Sequence, residues 1–239
     1  MTLLDTTNKV HMRWTKSFAA AGLIGIAVDF RNAWTPHGYN HYPHGLNDCC
    51  TAVRHLHAHA RDLGISKIVI QGESGGANLS LATALKARRE NWSSHIAGVY
   101  ASVPFISGGY NVWDAGRKRA ELPSLLENDG YVLNVRNMAA CVEAYTPRRE
   151  EREDALAWPY FATLEDLKGL PPHVVAVDEL DPLRDEGVAY YRKLVAAGVE
   201  ATGQVNLGVP HGSSLIFRKA MPEVHLKAVR EIVAFAKSL

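Results

Sequence analysis

Gly72-Glu-Ser74-Gly-Gly76 is the stretch of this chain whose residue types and spacing could do nucleophilic chemistry. Four residues of strand character, Ile68 to Gln71, run straight into it, and an apolar helical pattern begins directly after it. A serine on a sharp strand-to-helix turn carries its hydroxyl clear of the backbone, and glycines on both sides relieve the crowding of such a turn. The same letters could belong to a glycine-rich loop whose serine merely caps the helix. Strand before and helix after favour the elbow. A hydroxyl is a weak nucleophile near neutral pH, so Ser74 needs a base within hydrogen-bond reach and an acid to orient that base.

Both occur beyond later strands. The strand His173–Val177 leads into Asp178-Glu-Leu-Asp181-Pro-Leu-Arg-Asp-Glu-Gly187, and the strand Ala201–Leu207 leads into Gly208-Val-Pro-His211-Gly212. Chain order is therefore serine, acid, histidine, the order that goes with a strand–elbow–helix serine. His211 is the candidate base, since most other histidines fall in helical or early-loop segments. For the acid, Asp181 competes with Asp178. Pro182 suits a first helical position, which would also make Asp181 a natural helix cap. Asp185 and Glu186 read as first-turn residues complementing the helix dipole. The N–H of Gly75, next after the nucleophile, is a candidate oxyanion donor.

The elements that must position these groups alternate helix and strand. Helices are expected over 8–21, 46–63, 75–89, 183–197 and about 222–237. Strands are expected at Leu23–Phe30, Lys67–Gln71, Ile96–Val103, His173–Val177 and Ala201–Leu207. Val188, Tyr191 and Val195 form the apolar face of the fourth helix; Val229, Ile232, Val233 and Ala236 form that of the last. Almost wholly apolar strands suit a parallel sheet covered on both faces. Residues 105–165 break the rhythm with a glycine pair, four tyrosines and one or two helices but no clear strand. An insertion of this kind lies over the sheet as a cap. The chain reads as one α/β domain, 1–239, with a mostly parallel sheet.

Composition narrows the function. With a net charge of +1 and no basic run in 239 residues, the chain has no electrostatic footprint for nucleic acid or an anionic membrane. The mixed-sign stretch Arg148–Asp154 reads as a solvated face. No apolar segment reaches the roughly 20 residues of a membrane span. Without a basic, then apolar, leader at Met1-Thr-Leu-Leu, a cytoplasmic location is expected. Cys49, Cys50 and Cys141 form no disulfide framework and read as buried or half-buried thiols. His55 and His59 share a helix face, but further metal ligands are lacking nearby, and His37, His41 and His44 lie in a loop; no metal is expected.

Gly72-Glu-Ser-Gly-Gly-Ala-Asn-Leu, Asp181-Pro-Leu-Arg-Asp-Glu-Gly187 and Pro210-His-Gly212 together resemble the hormone-sensitive-lipase branch of the α/β-hydrolases. Val28-Asp-Phe-Arg-Asn-Ala33, Gly45-Leu-Asn-Asp-Cys49 and Pro159-Tyr-Phe-Ala162 resemble its framework, so the likeness runs over nearly the whole chain. It implies an α/β-hydrolase fold and a serine carboxylesterase acting on short acyl esters, with no metal or organic cofactor. It also favours Asp181, on which the first Asp of the family's Asp-Pro-Leu-Arg-Asp-Glu-Gly string falls. Ala77 stands where many relatives have another glycine.

The larger departure is at the start. Relatives carry a His-Gly-Gly-Gly loop supplying most of the oxyanion donors, just before a segment resembling Met1-Thr-Leu-Leu. Relative to that pattern the chain reads as N-terminally truncated, without the loop and without the strand leading into it, which would lie between Leu23–Phe30 and Lys67–Gln71. Unpaired strand edges in mid-sheet would invite pairing with another copy of the chain. Tyr110, Tyr131 and Tyr145 are candidates for the walls of the ester pocket. The rival reading is a receptor-like binder, or an inactive shortened member of the same fold; retention of His211 favours an enzyme.

Overall fold

In the computed structural model of the protein, which describes residues 9–239, the backbone of the fold is a four-stranded parallel sheet. Its strands follow a two-residue hairpin formed by β1 (Trp34–Thr35) and β2 (Gly38–Tyr39). They are β3 (Val69–Glu73), β4 (Gly98–Ser102), β5 (His173–Asp178) and β6 (Ala201–Asn206), hydrogen-bonded in the order β3-β4-β5-β6. All three pairings are parallel, in registers that place Gly72 opposite Ala101, Ala101 opposite Val175, and Val177 opposite Val205.

Burial on both faces explains the apolar runs. Along β5, Val175 and Val177 join one core cluster while Val174 and Ala176 join another, the two-residue alternation of a pleated strand. The first cluster lies under the helices His44–Ala58, Gly75–Arg89 and Arg184–Ala196, with Leu81, Leu85 and Tyr190 fully buried. The second lies under Lys9–Ala20 and Pro222–Ser238 and contains Trp14, Tyr100, Val229 and Ile232. Each fully buried side chain of this size contributes about 1.5–3 kcal/mol. β6 is different: Ala-Thr-Gly-Gln-Val-Asn is mostly open to solvent, as suits an edge. No helix among the described residues is long and apolar enough to cross a membrane.

Several expectations shift. Leu23–Phe30 forms no strand; residues 24–32 run as irregular chain, with Ile24 and Ile26 59% and 47% exposed. Apolar residues make a strand only where a neighbour accepts the ladder hydrogen bonds, and the described sheet gives β3 only β4 as a neighbour. β3 begins and ends two residues later than expected, so the strand runs to the residue before Ser74. The helix Arg184–Ala196 buries Glu186, Gly187, Tyr190 and Leu194, while Val195 is half exposed. It is rotated by about one residue because Gly187 seats directly on β5: a Cβ there would meet Val177 at 2.5 Å. In the charged stretch, Glu151 is buried and paired with Arg148. The segment Met1-Thr-Leu-Leu lies outside the described residues.

Residues 105–165 fold into the helices Ala115–Glu121, Ser124–Glu127 and Val135–Tyr145, followed by short 3₁₀ turns at Arg149–Glu151 and Pro159–Phe161. They have a core of their own around Trp158, with Phe105, Tyr110, Leu122, Leu125 and Val142. Tyr110 and Tyr145 are buried in that core and Tyr131 is more than half exposed. Two of these three tyrosines are therefore packing residues rather than pocket wall.

Candidate active site

Ser74 follows β3, Asp181 follows β5 and His211 follows β6, so all three lie beyond the carboxyl ends of parallel strands. That end is where open α/β sheets collect functional groups from separate loops.

The serine sits in a backbone conformation that few non-glycine residues adopt, with φ 56° and ψ −118°. Such a residue costs about 1–3 kcal/mol and persists only where its surroundings hold it. Here the backbone does so. Ser74 N–H donates to Ser102 O at 3.0 Å, and its carbonyl accepts from Asn78 N at 3.1 Å and from Phe105 N at 3.2 Å. The steric demand for glycine rests on Gly72 alone. A Cβ at Gly72 would stand 2.1 Å from Gly76 O, whereas one at Gly76 would meet nothing outside its own helix within 4 Å. The expectation that both positions need glycine is corrected to one. Gly75 is buried as the first residue of the elbow helix, where first-turn N–H groups lack intrahelical acceptors.

Asp181 and His211 are brought together. His211 Nδ1 lies 2.7 Å from Asp181 Oδ2, and both residues are buried. The other carboxylate oxygen, Oδ1, accepts from Leu183 N at 2.9 Å. The helix itself begins at Arg184, with Leu183 in the capping position. Orienting the histidine and closing the turn are thus separate jobs of two oxygens on one residue. Burial is the largest single influence on His211 and pulls its pKa down, but Asp181, Glu73 and Asp178 outweigh it and leave it raised.

Asp178 does not bond to His211. Its carboxylate accepts from Asn206 Nδ2 at 3.0 Å and Ser213 N at 3.4 Å, pinning the two ends of the loop that carries the histidine. Burial pushes it up to about 6 against the opposing hydrogen bond from Asn206. No hydrogen bond links Ser74 Oγ to His211 among the described residues; in sites without substrate that contact is often loose.

Sequence reasoning missed how the 105–165 segment grips the acid. Asn128 donates Nδ2 to Glu179 O at 3.0 Å and to Asp181 O at 3.1 Å. Asp185 accepts from Ser124 N at 2.6 Å, and Ser124 Oγ donates to Pro182 O at 2.8 Å. Glu186 accepts from Ile106 N at 2.6 Å, Ser107 Oγ at 2.6 Å and Tyr110 OH at 2.8 Å. Asp185 and Glu186 do lie in the first helical turn, yet their partners belong to the insertion. Nothing in local spacing announces such long-range pairs. The His55 and His59 rings lie 4.2 Å apart and His57 stacks on His95 at 3.6 Å. Cys49, Cys50 and Cys141 are free thiols, buried or half-buried as expected.

A family model described as alpha/beta hydrolase fold matches residues 4–215. The esterase LipI of Mycobacterium tuberculosis is 32% identical over 183 residues, covering 75% of this chain and 52% of the relative. An arylesterase of Saccharolobus solfataricus is 33% identical over 178 residues, covering 73% and 52%. The solved structure of brefeldin A esterase, titled a bacterial homologue of human hormone sensitive lipase, superposes with a TM-score of 0.97 at 52% identity. That match covers 98% of this chain and 65% of the other. Esterase Est22 superposes with a TM-score of 0.85 at 39% identity, covering 97% and 68%. The chain spans about half the length of the curated relatives it matches.

Proposed function

We propose that this chain, which belongs to the α/β-hydrolase fold family and resembles its hormone-sensitive-lipase branch, carries the acyl-transfer centre of a serine carboxylesterase. The observation that supports this most is the buried 2.7 Å contact between His211 and Asp181 at the same sheet end as the strained Ser74. Relatives named as esterases and carboxylesterases point the same way.

In this reading Ser74 Oγ attacks the ester carbonyl while His211 Nε2 takes its proton. Asp181 holds the other ring nitrogen as N–H and stabilises the imidazolium. The tetrahedral oxyanion takes a hydrogen bond from Gly75 N–H. Collapse expels the alcohol, which leaves with the proton from His211, and Ser74 remains acylated. Water then attacks under the same base and releases the acid. These steps use side chains and backbone alone. The substrate class is a small ester with a short acyl group, and the 105–165 insertion forms part of a cap over it. A cytoplasmic location fits the three free thiols, which suit a reducing compartment.

A fluorophosphonate probe tests the assignment directly, because it needs an activated serine but not full turnover. Labelling should fall on Ser74, located by digestion and mass spectrometry, and should be lost in His211→Gln. Adducts at Ser102 or Ser213 with none at Ser74 would overturn the proposal. Hydrolysis of a short chromogenic ester, measured beside a longer-chain homologue, tests the substrate class.

A further inference from the structure

Glu73 fills the variable position of the elbow, one residue before Ser74, and the mechanism above makes no use of it. Its side chain reaches the histidine turn. A Cβ built on Gly212 would stand 2.9 Å from Glu73 Oε1, so the carboxyl occupies the place where any side chain at 212 would begin. Gly212 also has φ +67°. Glycine after His211 suits the positive φ there, and any side chain at 212 would displace the Glu73 carboxyl. The second carboxyl oxygen, Oε2, is sealed from solvent and finds no hydrogen-bond partner among the described residues. A carboxyl oxygen buried without a partner costs stability, and such an atom in a folded protein calls for a structural reason.

The charged surroundings are specific. Asp178 at the end of β5, Asp181 in the acid turn and His211 beyond β6 all interact electrostatically with Glu73. Burial, reinforced by the two aspartates and opposed by the histidine, pushes Glu73 up to about 8. The influence is mutual, since Glu73 is among the groups that hold His211 in its charged form.

We propose that Glu73 is a positioning residue for His211: packed against Gly212, it holds the histidine turn from the nucleophile's own strand and acts as a second carboxyl partner beside Asp181. The proposal rests on the reading of His211 as the base for Ser74. While Glu73 keeps its proton, it adds no charge to the influence of Asp181 and Asp178 on the imidazole. Once Glu73 ionises, a further carboxylate strengthens the hold on the imidazolium proton. A space-filling role would leave the titration of His211 untouched.

The test follows the imidazole Cε1–H of His211 by NMR between about pH 5 and about pH 10, assigned by its loss in His211→Gln. The protein should show two inflections, the upper one reporting Glu73. Glu73→Gln, nearly isosteric, should leave one inflection and lower the His211 midpoint by about one unit. The pH dependence of fluorophosphonate labelling should move with it. Because the NMR titration needs no turnover, a chain that fails to label would remove the enzyme reading while still deciding whether Glu73 and His211 are coupled. An unchanged midpoint in a folded Glu73→Gln protein overturns the proposal. Should that variant not fold, a single His211 inflection in the unaltered protein overturns it equally.

Discussion

The two halves of the site are held by different means. The nucleophile half is fixed by backbone: a strand ending at Glu73, a glycine with no room for a Cβ, and three main-chain hydrogen bonds around Ser74. The acid–base half of the proposed site is held by side chains, many of them from residues 105–165, which reach Asp181 and its neighbours through Asn128, Ser124, Ser107 and Tyr110. A backbone device is local, compact and carried by few residues. A side-chain device brings partners from far along the chain and can be loosened one bond at a time.

The largest expected effect separates orientation from architecture. Asp181→Asn keeps an acceptor for Leu183 N–H, so the turn and the fold should survive. The oxygen facing His211 Nδ1 would no longer select the productive tautomer or stabilise the imidazolium. Turnover, or the rate of fluorophosphonate labelling, should fall by about 10⁴ with little change in melting temperature. Near-normal rates would break the comparison at its chemical end.

Glycine substitutions sharpen the backbone half. Gly72→Ala forces a Cβ against the carbonyl of Gly76 and should cost roughly 3 kcal/mol or more, because neither side of the clash can rotate away. Gly76→Ala meets only its own helix. It should cost less than about 1 kcal/mol or even stabilise, since alanine is the better helix former. Urea denaturation of the pair measures the difference. Equal losses would show that the elbow needs both glycines after all.

Asn128 probes the side-chain half. Asn128→Ala removes one of two donors from each of the Glu179 and Asp181 carbonyls, which keep Arg184 as their remaining partner, for a loss of about 0.5–1.5 kcal/mol per hydrogen bond. Activity should fall by more than that stability loss accounts for, at a temperature where the variant is fully folded, because the Asp181 carbonyl is then held by Arg184 N alone. A loss of stability with unaltered labelling rates would mean that the insertion stabilises the acid loop without aiming it.

This contrast also explains what could be read from the chain before its structure. The Gly72–Gly76 elbow was legible because a strand, a strained turn and a helix leave their mark within a few adjacent residues, and the helix Gly75–Arg89 matches its expected bounds. Asp181 and His211 were legible through their places after strands and through family resemblance, though spacing alone left Asp178 in contention. The grip of Asn128 on Asp181 spans 53 residues, and no periodicity encodes it. Leu23–Phe30 failed for another reason. An apolar run suits a covered strand, but here Ile24 and Ile26 are exposed and the described sheet gives the run no strand partner.

The smallest effect concerns the second acid. Asp178 bonds to Asn206 and Ser213 rather than to His211, so Asp178→Asn should change the labelling rate by less than about tenfold, far below the effect at Asp181. Its signature is instead a pH dependence of stability. Burial raises Asp178 to about 6, above the usual aspartate value of roughly 3.9. Between those values the folded chain keeps a proton that the unfolded chain has released, so stability declines as pH rises through that window and levels off above it. Asparagine does not titrate. The variant should therefore gain on the parent between about pH 4 and about pH 6, by on the order of 1–3 kcal/mol at most, with a constant offset from altered hydrogen bonding to Asn206 and Ser213. Denaturant titrations at both pH values measure the gain directly. If the gap stays flat, Asp178 is ionised throughout, and a fully charged second carboxylate must then be counted in the surroundings of His211.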